Sequence, residues 1–195
     1  MKIAPVVLAG KITRLEPLSE THIPDLAVAG ENESIWLNMR YGMVTTREKM
    51  RAWVLDMLDR QTRGADLPFV VIHLEEGRAI GATRYLNIEP EARGLEIGGT
   101  WYTPEFQRTG VNTECKYLLL KHAFEALECI RVQLKADILN LRSQRSIERL
   151  GAIKEGILRN HIIRGDGTYR DSVFYSVLES EWPAVRARLE AMLER

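Results

Sequence analysis

Cysteine is nearly absent from the 195-residue chain: Cys115 and Cys129 are the only two. Neither a CxxC nor a Cys/His ligand spacing accompanies them, so a disulfide framework and a zinc site are both disfavoured, no metal is expected, and a reducing cytoplasm is the simplest compartment. A surplus of one charge is absent too. Lys plus Arg and Asp plus Glu both number 27, whereas a protein that grips phosphate backbones usually carries a basic excess, so nucleic acid is not favoured as a partner. Long apolar runs are missing as well, since no segment approaches the roughly 18 residues that a membrane span requires. The opening MKIAPVVLAG has one lysine and a short apolar run, the outline of a secretory signal. The strand-like alternation of GKITRLEPLS follows at once and argues against that reading.

What is present is an ordinary globular composition, 28% charged and 45% hydrophobic, at a length that suits one domain over residues 1–195. Ile12, Arg14 and Glu16 alternate with Thr13, Leu15 and Pro17 in a short edge-like strand, and Ser19 to Ala29 reads as a brief helix or turn. Thr45 and Glu48 form a capping box for a helix that ends at Gly64, with Met50, Trp53, Val54, Met57 and Leu58 on one face. Two β-rich runs around Glu76-Gly77 predict a hairpin from about Phe69 to Ile88, and GLEIGGTWYTP supplies a third strand. Gly98 and Gly99 in that strand suggest a bulge or a close backbone approach.

A loop and a second long helix follow. Cys115, Leu118, Leu119, His122, Ala123 and Ala126 recur at helical spacing, with Asn112 or Thr113 placed to cap. RVQLKADI alternates with period two and reads as a strand, its polar set being Arg131, Gln133, Lys135 and Asp137. Asn140 caps a shorter helix that Gly151 ends. A closing hairpin turns at Gly165-Asp166-Gly167, and Ser180 with Pro183 opens a last helix carrying Trp182, Val185, Leu189 and Met192. The expected fold is therefore α/β in the α+β sense, helices packed on a mainly antiparallel mixed sheet.

The stretch EFQRTGVNTE, between the strand stopped by Pro104 and the helix, aims unpaired backbone N–H groups at one point where the helix dipole favours an anion, and phosphate is the natural candidate. A plain strand-to-helix connection accounts equally for the glycine. A Walker loop lacks its Gly-Lys-Ser/Thr here, and a dinucleotide fingerprint lacks its three glycines.

Gln107-Arg108-Thr109-Gly110-Val111-Asn112 resembles the Gln/Arg-x-x-Gly-x-Gly/Ala loop of the GCN5-related N-acetyltransferases, with Asn112 departing from the usual Gly or Ala. LEIGGTWYTPEFQRTGVNTE, NLRSQRSIERLGA, EGILRNHIIRGDGTYRDSVFYSVLESEW and GKITRLEPLSETHIPDL are similar to the Rim-type branch, which acetylates ribosomal-protein N-termini and various amines. The likeness spans roughly residues 10 to 185. It implies acetyl-CoA as co-substrate, a pyrophosphate held by Gln107, Arg108, Thr109, Gly110, Val111, Asn112 and Thr113, and a pantetheine arm along the strand near Trp101, Tyr102 and Thr103. Glu96 matches the position of the base in many relatives, acting through water, although an ion pair with an Arg or a solvent-facing place would account for it as well. Asn140 and Ser143 match an Asn-x-x-Ser in which the amide meets pantetheine and the hydroxyl lies near sulfur, where it can protonate the leaving thiolate; the same pair makes an N-cap and first turn.

Arg108, Arg142 and Arg145 are placed to meet phosphates, with Arg108 the one inside the loop. Tyr169, Asp171 and Tyr175 fall on the hairpin that borders the acceptor cleft in relatives, and Asp171 is either an attractor of a cationic amine or a partner of a hairpin Arg. His22, His73, His122, His161 and Cys115 read as packing or surface residues. The acceptor is a protein N-terminus or a small amine; a non-catalytic acyl-CoA sensor or docking module is the alternative from another class. Dimers are common among relatives, and Trp36, Trp53 or Trp182 would be the residues to supply an exposed face.

Overall fold

A computed structural model describes residues 1–164 and 167–194. Its strands are β1 (Leu8–Ala9), β2 (Thr13–Pro17), β3 (Asp66–His73), β4 (Arg78–Glu89), β5 (Gly94–Tyr102), β6 (Arg131–Asp137), β7 (Ile153–Ile163) and β8 (Tyr169–Leu178). They form one sheet in the order β1-β2-β3-β4-β5-β6-β8-β7. The helices are α1 (Ile23–Ala29), α2 (Arg47–Thr62), α3 (Val111–Lys121), α4 (Leu141–Leu150) and α5 (Trp182–Leu193).

Helices cover both faces of the sheet. Along β3, Phe69 and Val71 join the core beneath α3, α4 and α5, while Val70 and Ile72 join the core beneath α1 and α2. A strand buried on both faces needs apolar residues at every position, which is why DLPFVVIH reads as a run and not as an alternation. Trp36, Trp53 and Trp182 all lie in these cores, so none offers the exposed face expected of a dimer contact.

Every strand pair is antiparallel except β5 with β6, and that parallel pairing is short: Gly94, Leu95 and Glu96 against Arg131, Val132 and Gln133. Past Glu96 the two strands part, opening a cleft in the middle of the sheet. β5 also carries the expected bulge. Ala82 pairs with Trp101 and Arg84 with Gly98, so one residue of β4 faces two of β5, and Gly99 meets the bulge with φ +59°. Opposite, Gly81 lies so close to β5 that a Cβ there would sit 2.1 Å from the Trp101 carbonyl oxygen.

The turns at Gly77 and Gly151 and the Asn140 cap stand as expected. Three helix starts differ. α2 is capped by Thr46, whose Oγ1 accepts from Lys49 N at 3.3 Å, because the extended residue before Arg47 is Thr46 and not Thr45. α3 begins two or three residues earlier than expected, with Gly110 as N-cap and both Asn112 and Thr113 inside the first turn. Ser180 sits in a 3₁₀ turn over Glu179–Glu181, so α5 starts at Trp182 without a side-chain cap. The Gly165-Asp166 part of the hairpin turn lies outside the described residues; Gly167 has φ +83°. Among the described residues no helix is long and apolar enough to cross a membrane.

Candidate active site

The parting of β5 and β6 leaves a cavity of about 650 Å³. Its lining comes from β5 and β6, the 107–112 loop, α4 and residues 38–41. Glu96, Trp101, Tyr102, Gln107, Arg108, Thr109, Asn112, Asn140 and Ser143 all line it, as do Arg142 and Arg145. Thr103, Gly110, Val111 and Thr113 do not. Val111 is drawn into the core, Thr113 Oγ1 accepts from Arg149 Nη2 at 2.9 Å, and Thr103 N donates to the Ile80 carbonyl at 2.9 Å.

The loop is braced by side chains at its edges. Gln107 Nε2 donates to the Tyr102 carbonyl at 3.0 Å, Arg142 Nη1 donates to Gln107 Oε1 at 2.7 Å, and Thr109 Oγ1 donates to the Phe106 carbonyl at 2.8 Å. Arg108 takes φ +64°, an uncommon conformation for a residue with a Cβ. Gly110 caps α3 with no side-chain bond, and a Cβ on it would meet Ile12 Cδ1 at 2.8 Å. In the first turn of α3 Val111 N donates to Thr109 Oγ1 at 3.3 Å, and the helix dipole with the N–H groups that follow favours an anion at this end. Asn112 is no cap; its Nδ2 donates to Ser146 Oγ at 3.1 Å and its Oδ1 accepts from Tyr102 Oη at 3.4 Å, tying α3 to α4 and β5.

A family model described as an acetyltransferase (GNAT) domain matches residues 13–153. The chain belongs to the GNAT acetyltransferase family. A Bacillus subtilis (strain 168) protein named "Putative ribosomal N-acetyltransferase YdaF" is 35% identical over 109 residues, covering 56% of this chain and 58% of that one. The match thus spans little more than half the length of that relative. A T. thermophilus crystal structure of the acetyltransferase type superimposes with TM-score 0.90 at 38% identity, covering 99% of this chain and all of that one. Mycobacterium smegmatis RimJ in complex with CoA-disulfide shares the fold, with TM-score 0.78 at 21% identity over 96% of this chain and 92% of that one.

In this GNAT chain Glu96 stands where β5 and β6 separate, its side chain only 2% exposed. Oε2 receives Asn87 Nδ2 at 2.9 Å, Gln133 Nε2 at 2.9 Å and Lys135 Nζ at 3.0 Å. Glu96 is therefore paired with a lysine, neither facing solvent nor held by an Arg. A Cβ on Gly98 would lie 3.1 Å from Oε1, so the missing side chain there leaves room before that oxygen. Ser143 lines the cavity while its N–H donates to Asn140 Oδ1 at 3.0 Å; the cap engages the backbone of Ser143 and not its hydroxyl.

Beside residues 38–41, the Arg84 guanidinium lies 5.3 Å from the Tyr41 ring centre and its Nε lies 3.3 Å from Asp66 Oδ2. Burial is the main reason the Tyr41 phenol is pushed up from its ordinary pKa. Asp137, buried at the tip of β6, holds Arg164 Nη2 at 2.8 Å and Arg170 Nε at 3.7 Å. Asp171 instead accepts Asn160 N at 2.8 Å, fixing a bulge in β7, so its expected ion pair with a hairpin Arg is replaced by a backbone contact. Tyr175 is buried and donates to Glu148 Oε1 at 3.0 Å. Cys115 is wholly buried, and burial pushes its thiol up to about 11, the state of a packing residue.

The residues that sequence reasoning passed over are Asn87, Gln133 and Lys135, which fix Glu96, and Lys116 on α3. Gln133 and Lys135 carry a visible signal, the polar set of β6. Nothing local says that this set closes on a carboxylate.

Proposed function

We propose that the chain is an acetyl-CoA-dependent N-acetyltransferase in which an amine attacks directly within a ternary complex. The observation that carries this reading is the meeting, in one cavity, of a glycine-capped helix start and a buried carboxylate at the parting of two strands. Acetyl-CoA would supply the activated acyl thioester. The Gln107–Asn112 loop and the first turn of α3 would hold its pyrophosphate, and the open edge of β5 from the bulge to Thr103, with Asn140 across the cleft, would align its pantetheine arm. The attacking amine must shed a proton, and Glu96, with Oε2 fixed by Lys135, Gln133 and Asn87, would take it through water at Oε1. Backbone N–H groups of β5 beside the bulge would meet the negative charge that develops on the acyl oxygen. Ser143 Oγ would donate a proton to the leaving thiolate.

The acceptor is a protein N-terminus or a small amine. The ribosomal term in the B. subtilis relative's name supports placing ribosomal-protein N-termini in the first panel. Mass spectrometry of peptides and of polyamines, amino acids and aminoglycosides after incubation with acetyl-CoA tests the reading, because one set should gain an acetyl group. A second reading is a non-catalytic acyl-CoA-binding module, favoured by the neutralisation of Glu96 by Lys135. It predicts tight acetyl-CoA binding with no acetylated product in either panel.

A further inference from the structure

Lys116 is the charged group that the mechanism leaves unused. It lies on the covered side of α3, 6% exposed, and it lines the cavity. Its Nζ donates to Thr100 Oγ1, and that oxygen meets Thr83 Oγ1 at 2.8 Å. An ammonium carries three donors. Among the described residues Thr100 is the only acceptor that Nζ meets, and no carboxylate pairs with it.

The charged and titratable groups that share the cavity do not supply a counter-ion. From β5 come Glu96 and Tyr102, from β4 Arg84, from β6 Lys135 and Asp137, from α4 Arg142, Arg145 and Arg149, from β8 Arg170, from the loop Arg108, and from the segment before α2 Arg40 and Tyr41. The two carboxylates are taken by Lys135 and by Arg164, and Cys115 beside it on α3 is held as a thiol by burial. Desolvation accordingly lowers the Lys116 amine to about 8. Burying an unmatched cation costs stability, so the position is explained by what it does for a guest and not by what it does for the fold.

Its place along the helix narrows the guest. Lys116 is six residues past Gly110, about 9 Å along α3 at 1.5 Å per residue, so it lies beyond an anion seated at the helix start. It is bonded instead to β5, at Thr100, just past the bulge. We propose that Lys116 is a binding residue for acyl-CoA, its buried Nζ donating to a carbonyl oxygen of the amide-bearing arm. The proposal rests on the acyl-CoA reading above and adds a residue to it.

Calorimetric titration of the full chain tests it, with acetyl-CoA as probe and adenosine diphosphate as the probe that lacks the arm. Lys116→Met keeps the length of the side chain and removes its donors; it should weaken acetyl-CoA about 10- to 100-fold, the loss expected for a buried charged hydrogen bond, and leave adenosine diphosphate within about twofold. The wild-type affinity for acetyl-CoA, relative to adenosine diphosphate, should fall up to about tenfold between pH 7 and 9 as the amine loses its proton, with no such fall in the variant. Wild-type affinity for acetyl-CoA in Lys116→Met, or equal losses for both probes, overturns the proposal. Should Lys116→Met not fold, Lys116→Leu, which also removes the donors, carries the same test with the same two outcomes. If the wild type binds no acetyl-CoA, the acyl-CoA reading falls and takes this one with it, whereas normal binding indifferent to Lys116 removes only this one.

Discussion

Glu96→Gln separates chemistry from architecture at the centre of the site. The amide has the shape of the carboxylate, so its oxygen can take the place of Oε2 and still accept from Asn87, Gln133 and Lys135, while its NH₂ group would occupy the Oε1 position before Gly98. What disappears is the negative charge and the capacity to take a proton. Loss of a general base lowers turnover about a hundredfold or more, which is about 2.7 kcal/mol of transition-state stabilisation. The structural cost is separate: Lys135 loses its counter-ion, and since its side chain is 17% exposed and can rehydrate in part, about 1–3 kcal/mol is expected, below the range for a fully buried pair. For a chain of this length that lowers Tm by roughly 2–12 °C. The assay is the initial rate of thiol release from acetyl-CoA with the best acceptor from the panel, at pH 7 and at high pH, well below the variant's Tm. A rate within about threefold of wild type at both pH values, with Tm lowered as expected, would refute the base assignment and leave Glu96 as the clamp that holds β5 to β6.

The Lys116 amine, lowered to about 8 by burial, makes stability depend on pH. Below pH 8 the group is charged in folded and unfolded chains alike; between about 8 and the unfolded value near 10.5 the unfolded chain holds the extra proton, so stability rises with pH. The raised thiols of Cys115 and Cys129 act oppositely above pH 9, so the readout is the Tm of Lys116→Met minus that of wild type, which should be positive at pH 7 and shrink toward pH 10. A difference constant with pH would contradict this assignment. Glu114→Gln should lower stability by about 2–3 kcal/mol in a denaturant titration, because the buried carboxylate accepts the N–H groups of Lys11, Ile12 and Thr13 and the Thr13 hydroxyl; an unchanged midpoint would show that the amide serves as well. Arg108→Gly removes a side chain from φ +64°, a gain of about 1 kcal/mol offset in part by backbone entropy. Its Tm should hold or rise while acetyl-CoA binds more weakly, and a Tm loss beyond about 4 °C would mean that the side chain braces the loop.

Much of the fold is legible in the sequence because it is set locally. The alternation of Val132, Leu134 and Ala136, the turn at Gly77, the bulge at Gly98-Gly99 and the Asn140 to Gly151 helix each follow from residues close in sequence. The α3 cap is displaced from its expected place because Asn112 has two destinations: a local cap, and distant partners in Ser146 and Tyr102 that hold it inside the first turn. Non-local register decides the rest. That β5 and β6 touch only as far as Glu96 depends on pairing residues 37 positions apart, and only that pairing turns Gln133 and Lys135 from a polar strand face into the clamp on a carboxylate. Trp36, Trp53 and Trp182 are core and not surface for the same reason, since the elements that cover them lie far away in the chain.

Whether the cavity between β5 and β6 holds acyl-CoA decides between an enzyme site and a mere gap in the sheet. Calorimetric titration of the purified wild-type chain with acetyl-CoA, beside free adenosine diphosphate, tests this most directly. We expect acetyl-CoA to bind at least about tenfold more tightly, a difference of about 1.4 kcal/mol, with the loop taking the phosphates and the strand edge taking the arm. Equal affinity for the two would show a phosphate-binding loop with no reader for the arm, and no binding of either would reduce Gln107–Asn112 to a connection between β5 and α3.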